Sequence, residues 1–237
     1  MTMTERRSFL GRILGAAALA GLPFGAREAD AAQPALATGP DTWLKEVKGT
    51  HRCLFDFPQH GNGMPLLHIF NYLNTYKDAY KAAPGTVGAV GTFYSLGQKS
   101  SISLAFNDKM WAKYGLGEYL GLKDADGKAY THNVYNDMTA KDAGIVMGAI
   151  GSPAIPELLP LLPGMSIANL QKMGAKFILC ANALGAWCLE MQARGKGKAD
   201  AIQADLTENR LPGVTIVPAM VIAIEKAQAA GIRYNRQ

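Results

Sequence analysis

The chain of 237 residues is poor in charge, poor in cysteine and free of the common nucleotide and hydrolase signatures. Charged residues are only 18% of it and the net charge is +5, with no lysine run interleaved with aromatics, so nucleic acid is not an expected partner. Three cysteines (Cys53, Cys180 and Cys188) cannot all pair within one chain, so no disulfide framework is implied. There is no P-loop consensus, no GxGxxG after a strand, no GxSxG and no HExxH, which removes the sequence case for nucleotide, serine-hydrolase or zincin chemistry. His68 and His132 lack metal-ligand spacing with any Cys or carboxylate, and His51 neighbours Cys53 only by alternation, so neither metal nor cofactor is implied. The most membrane-like segment lies at the N-terminus and is short for a bilayer, so no stable span is expected once it is removed.

What is present is enough apolar material, 49% of residues, to fill a core. The first 32 residues have the layout of an export signal: a charged head, a weakly apolar middle from Ile13 to Phe24, and a small-residue exit at Ala29-Asp30-Ala31-Ala32. Arg6-Arg7-Ser8-Phe9-Leu10 resembles a twin-arginine signal, which implies export of a folded protein and a periplasmic location.

Beyond residue 32, strand and helix patterns alternate. His51 to Phe57, Thr86 to Phe93, Ala175 to Cys180, Val214 to Val217 and Ile232 to Tyr234 read as strands. Helical spacing runs from Pro65 through Tyr76, from Ile102 to Tyr114, Ser166 to Met173, Asn182 to Ala193, Ala199 to Leu206 and Ala219 to Ala230. Lys123-Asp-Ala-Asp-Gly-Lys128 marks a turn or hairpin tip, and residues 100–160 form an irregular insert. The expected fold is a single-domain three-layer α/β/α sandwich over residues 33–237, with a mainly parallel sheet of about five strands.

Ligands of open α/β sheets sit outside the carboxyl ends of the strands. Two such ends carry polar residues. One is Gln59-His60-Gly61-Asn62-Gly63, where His60 could bind an anion or act as a base, or simply be solvated. The other is Cys180-Ala181-Asn182-Ala183, where a helix N-terminus favours a thiolate nucleophile; Cys180 also suits plain packing at a strand end. Cys188 shares a helix face with Leu184 and Met191 and reads as core; two turns, about 12 Å of rise, separate it from Cys180.

The stretch Ser166-x-x-x-Leu170-x-x-x-Gly174-x-x-Phe177-x-x-Cys180-x-Asn182-Ala183 resembles the central motif of the DsrE/DsrF-like family. Leu211-Pro212-Gly213-Val214-x-x-Val217-Pro218-Ala219 and Gln228-x-x-Gly231-x-x-Tyr234 are similar to that family's closing strand, helix and strand. The resemblance implies a trimer or hexamer and, at Cys180, a persulfide acceptor that exchanges sulfur with a donor or acceptor protein, with Asn182 ordering the turn. The alternative is a non-catalytic oligomeric binding module in which His60 and Asn62 face Cys180 across one crevice. The apolar stretch Ile155 to Pro163 would be costly to leave in water and suits a subunit contact.

Overall fold

Five short apolar segments pair as β1 (His51–Asp56), β2 (Val87–Phe93), β3 (Ala175–Cys180), β4 (Val214–Val217) and β5 (Arg233–Arg236) in the computed structural model. It describes residues 39–124, 126–142, 144–145 and 155–237; the segment expected to be an export signal, most of the stretch 143–150 and Pro153 lie outside the described residues. Every strand pairing is parallel, in the order β4-β3-β2-β1-β5. The chain is a single-domain α/β fold with an all-parallel sheet, as the alternating pattern predicts.

Seven described helices connect the strands: α1 (Met64–Asp78), α2 (Asp108–Tyr114), α3 (Leu116–Tyr119), α4 (Ile167–Lys172), α5 (Ala181–Ala193), α6 (Ala199–Glu208) and α7 (Met220–Ala229). From β1 to β4 the chain advances one strand at a time in one direction. Right-handed crossovers then put α1 to α6 on one face. The last connection returns from the β4 edge to the far side of β1, so α7 crosses on the opposite face.

Side-chain alternation separates the two faces. Phe55, Phe93, Phe177 and Leu179 join the large cluster under α1, α4, α5 and α6. Leu54, Val90, Ile178, Cys180 and Val217 join a smaller cluster covered by α7 and by the 3-10 turn Thr42–Glu46 with its buried Trp43. Gly91 is needed in β2 because a Cβ there would come within 2.5 Å of the Phe177 ring, which stacks on Phe93 with centroids 5.1 Å apart.

The insert is less irregular than its sequence suggests. Phe106, Met110, Trp111, Val134 and Tyr135 are fully buried in the large cluster. The single helix expected over 102–114 is broken in two. Ser101–Ala105 is a 3-10 turn, Phe106 is extended and bridges Arg210, and Asn107 caps α2 by accepting the Met110 N–H at 3.2 Å. Buried Asn133 locks this break by donating to the Leu104 and Phe106 carbonyls at 3.0 and 2.8 Å. The 123–128 turn is a hairpin tip, with Lys123 bridging Ala129 and Asp124 Oδ1 accepting the Lys128 N–H. Among the described residues no helix is long and apolar enough to cross a membrane.

Candidate functional site

Strand β3 runs directly into α5, and Cys180 is the junction: it is the last strand residue and the N-cap of the helix. Its neighbour β4 ends beside it, with Cys180 paired to Val217, and α7 begins after only Pro218 and Ala219. Two helices therefore start next to one sulfur. Cys180 Sγ accepts the Ala183 N–H of α5 at 3.4 Å and the Met220 N–H of α7 at 3.3 Å. First-turn amides have no partner within their own helix and carry the positive end of its dipole. Both donors point at the sulfur of a residue that is only 5% exposed.

Asn182 is exposed, and it holds the junction through its backbone N–H, which donates to the Pro218 carbonyl at 3.2 Å. That bond clamps the start of α5 to the start of α7.

His60 and Asn62 are brought together, but not with Cys180. His60 Nδ1 accepts the Asn62 N–H at 3.0 Å, and Asn62 takes a left-handed conformation between two glycines that share it. The imidazole packs on the helix-rich side, 6.2 Å from the Tyr135 ring, whereas Cys180 belongs to the cluster on the other face. The shared crevice expected for His60, Asn62 and Cys180 is not formed. Burial lowers the His60 pKa to about 4, against a hydrogen bond to the Gln98 backbone that works the other way. The ring is thus a neutral lock on the β1–α1 turn.

The other thiols differ in kind. Cys188 is fully buried beside Leu184 and Met191, and burial pushes its pKa up to about 12; burial pushes Cys53 up to about 11. All three cysteines are free. Among the described residues no group of three or more His, Cys, Asp or Glu could hold a metal ion.

A second polar centre escaped the sequence reading. Asp56, at the carboxyl end of β1, is 2% exposed, and four side chains converge on it. The Tyr94 hydroxyl donates to Oδ1 at 2.8 Å and the Thr92 hydroxyl lies 3.4 Å from the same oxygen. Tyr234 and Arg236 of β5 donate to Oδ2 at 2.8 and 2.5 Å. Hydrogen bonding to Asp56 raises the Arg236 pKa, while burial first and Asp56 second push Tyr94 up to about 12. Tyr94 packs against the cluster that contains Cys180. The one available signal was a carboxylate ending an apolar strand, since a buried charge demands partners. Those partners lie up to 180 residues away in sequence.

A groove of about 1100 Å³ opens between α1 and β5, bordered by Tyr72, Tyr76, Tyr80, His68, Asn71 and Arg236. Neither Cys180 nor His60 lines it.

Fold and site together define a single-domain α/β protein with an open parallel sheet and a buried free thiol held between two helix N-termini. Comparison of the chain with family models, curated proteins and solved structures finds no match in any of the three.

Proposed function

We propose that this chain is an exported, periplasmic thiol protein that carries sulfane sulfur on Cys180 as a persulfide. The observation that carries the reading is the pair of N–H groups, from Ala183 and Met220, directed at one sulfur from two different helices. A thiolate is the nucleophile such a step requires, and oriented amides favour it. The DsrE/DsrF-like pattern around Cys180 supports the same role, with a donor or acceptor protein as partner and a trimer or hexamer as the assembly. Exposed apolar side chains are available for assembly, with Leu161 59%, Val221 74% and Ile222 52% exposed.

In the loading step the Cys180 thiolate attacks the outer sulfur of thiosulfate. A sulfur–sulfur bond forms to Cys180, the sulfur–sulfur bond of thiosulfate breaks, and sulfite leaves with the electron pair. The cysteine persulfide then holds the sulfur for the acceptor. No external oxidant is consumed.

The experiment is to incubate reduced protein with thiosulfate and map the modified peptide by mass. One added sulfur on Cys180, lost in Cys180→Ser, is the expected result. Sulfur on Cys53 or Cys188 instead, or on none of the three, overturns the reading. The groove between α1 and β5 would then favour the second reading, a non-catalytic oligomeric binding module.

A further inference from the structure

The groove beside β5 follows from the topology. The β4–β5 connection passes behind the sheet, so among the described residues no helix covers β5 on the α1 face, and all four of its residues are exposed. The strand register decides what faces this groove. Phe55 packs edge-on against Tyr72 of α1 at 5.4 Å, and Asn235 is its partner in β5, so Asn235 shares the α1 face. Alternation puts Arg236 on the far face, where Asp56 and Tyr94 hold its guanidinium. Among the described residues no aspartate or glutamate borders the groove.

What remains on the α1 face is a wall of rings beside a row of neutral polar groups. Tyr72 and Tyr76 stand one turn apart on α1, and Tyr80 one turn further, just past its end, with ring centroids 5.0 and 5.3 Å apart. His51 lies 4.6 Å from the Tyr76 ring and extends the wall to the amino end of β1. The polar row is a relay. Gln237 Nε2 donates to Asn235 Oδ1 at 2.9 Å, so Gln237 Oε1 is the acceptor for the Nδ1–H of His68. Asn235 Nδ2 is left as a donor and His68 Nε2 as an acceptor, neither with a partner among the described residues. On α1, Asn71 Oδ1 accepts the Thr75 hydroxyl at 3.2 Å, which leaves the Asn71 amide N–H groups open to the groove.

We infer that this groove binds an extended, neutral β-1,4-linked oligosaccharide, at a site separate from Cys180. A sugar ring has an apolar C–H face and a rim of hydroxyls, each both donor and acceptor. The C–H face lies against the tyrosine rings, which offer large apolar area with a polar tip. The hydroxyl rim meets the free donors of Asn235 and Asn71 and the free acceptor of His68. A cationic ligand finds no carboxylate here, and the one guanidinium is committed on the far face. A wholly apolar ligand would bury those amides without partners. The file of rings along one straight helix suits a chain that runs straight, as a β-1,4 glucan does, and not one that coils. The groove, about 1100 Å³ and open along its length, has room for more than one ring.

The test is titration of the full chain with cellotetraose and with maltotetraose, the straight and the coiled tetramer of glucose, read by calorimetry and by saturation-transfer NMR. Cellotetraose should bind at millimolar concentration, more tightly than maltotetraose, with transfer strongest at its ring C–H protons. Tyr76→Ala should weaken it at least about fivefold, and Tyr76→Phe, which keeps the ring, much less. Tyr80 is 72% exposed, so Tyr80→Ala keeps the fold and should weaken binding in the same direction. Asn235→Ala removes the free donor of the relay and should cost about threefold. Arg236→Lys should leave the affinity unchanged, because that side chain serves the other face. No cellotetraose binding at millimolar concentration, equal affinity for the two glycans, or binding unchanged in both Tyr76→Ala and Tyr80→Ala overturns the proposal.

Discussion

On the α1 side of the sheet the core is deep and aromatic: Phe93 stacks on Phe177, Phe106 on Trp187, and Trp111 packs against Tyr135. On the α7 side the cover is one 3-10 turn and one helix whose buried contacts are Met220, Ala223 and Ala227. The deep side tolerates a polar group by keeping it neutral, as with His60, or by satisfying it fully, as with Asn133. The shallow side carries a charged carboxylate and the amide-ringed thiol at the strand ends. The larger aromatic core lies on the first face, and the proposed chemistry on the second. Thin cover lets helix starts and a distant arginine reach groups that a thick layer would bury in hydrocarbon.

The sharpest way to break that contrast is Trp187→Ala. The indole is fully buried, stacks 5.8 Å from Phe106 and donates to Tyr119 at 3.0 Å. Its truncation should cost about 4 kcal/mol in denaturant unfolding. A loss below about 1 kcal/mol would mean that the deep side does not dominate.

Next comes pH. Unfolded His60 takes a proton near its ordinary 6.5, folded His60 only near 4. Between those values the unfolded chain holds more protons, so stability falls as pH drops through the window, by up to about 3 kcal/mol. Unfolding curves of wild type and His60→Asn should separate there by that amount. Parallel curves would show that the ring is not held neutral.

Asp56→Asn should be milder, about 2 kcal/mol, because Tyr94, Tyr234 and Arg236 lose a charged acceptor but sit near solvent. Hydrogen exchange should locate the loosening at β5. Smallest of all is Trp43→Phe on the shallow side. The Trp43 Nε1 is buried with no partner among the described residues, so losing it should keep stability within about 1 kcal/mol. Trp187→Phe, which removes the Tyr119 bond, should cost more in the same assay.

Strands β3 and β4 could be read from sequence to the residue, as each is an apolar run entered from a left-handed glycine, Gly174 or Gly213. The Cys180–α5 junction was legible for the same reason. Its second donor was not, because Met220 lies 40 residues further on and reaches the sulfur only through the β3–β4 pairing. The break at Phe106 was hidden because Leu104, Met110 and Trp111 mimic one helical face, while Asn107 and the distant Asn133 decide the outcome. His60 and Asn62 stand at a strand end as expected, yet alternation turned the turn toward Tyr135 and away from Cys180. The Arg236–Asp56 contact depends on an edge-to-edge crossover that local pattern does not encode.

In the proposed function the two N–H donors make Cys180 the reactive thiol of this chain. Its most direct test is alkylation of the reduced, folded protein with iodoacetamide across about pH 5 to 9, with each cysteine followed by peptide mass. Cys180 should label first at every pH, well ahead of Cys53 and Cys188, whose thiols burial holds at about 11 and about 12. If Cys180 stays unlabelled until denaturant is added, the junction is closed packing and the claim is wrong.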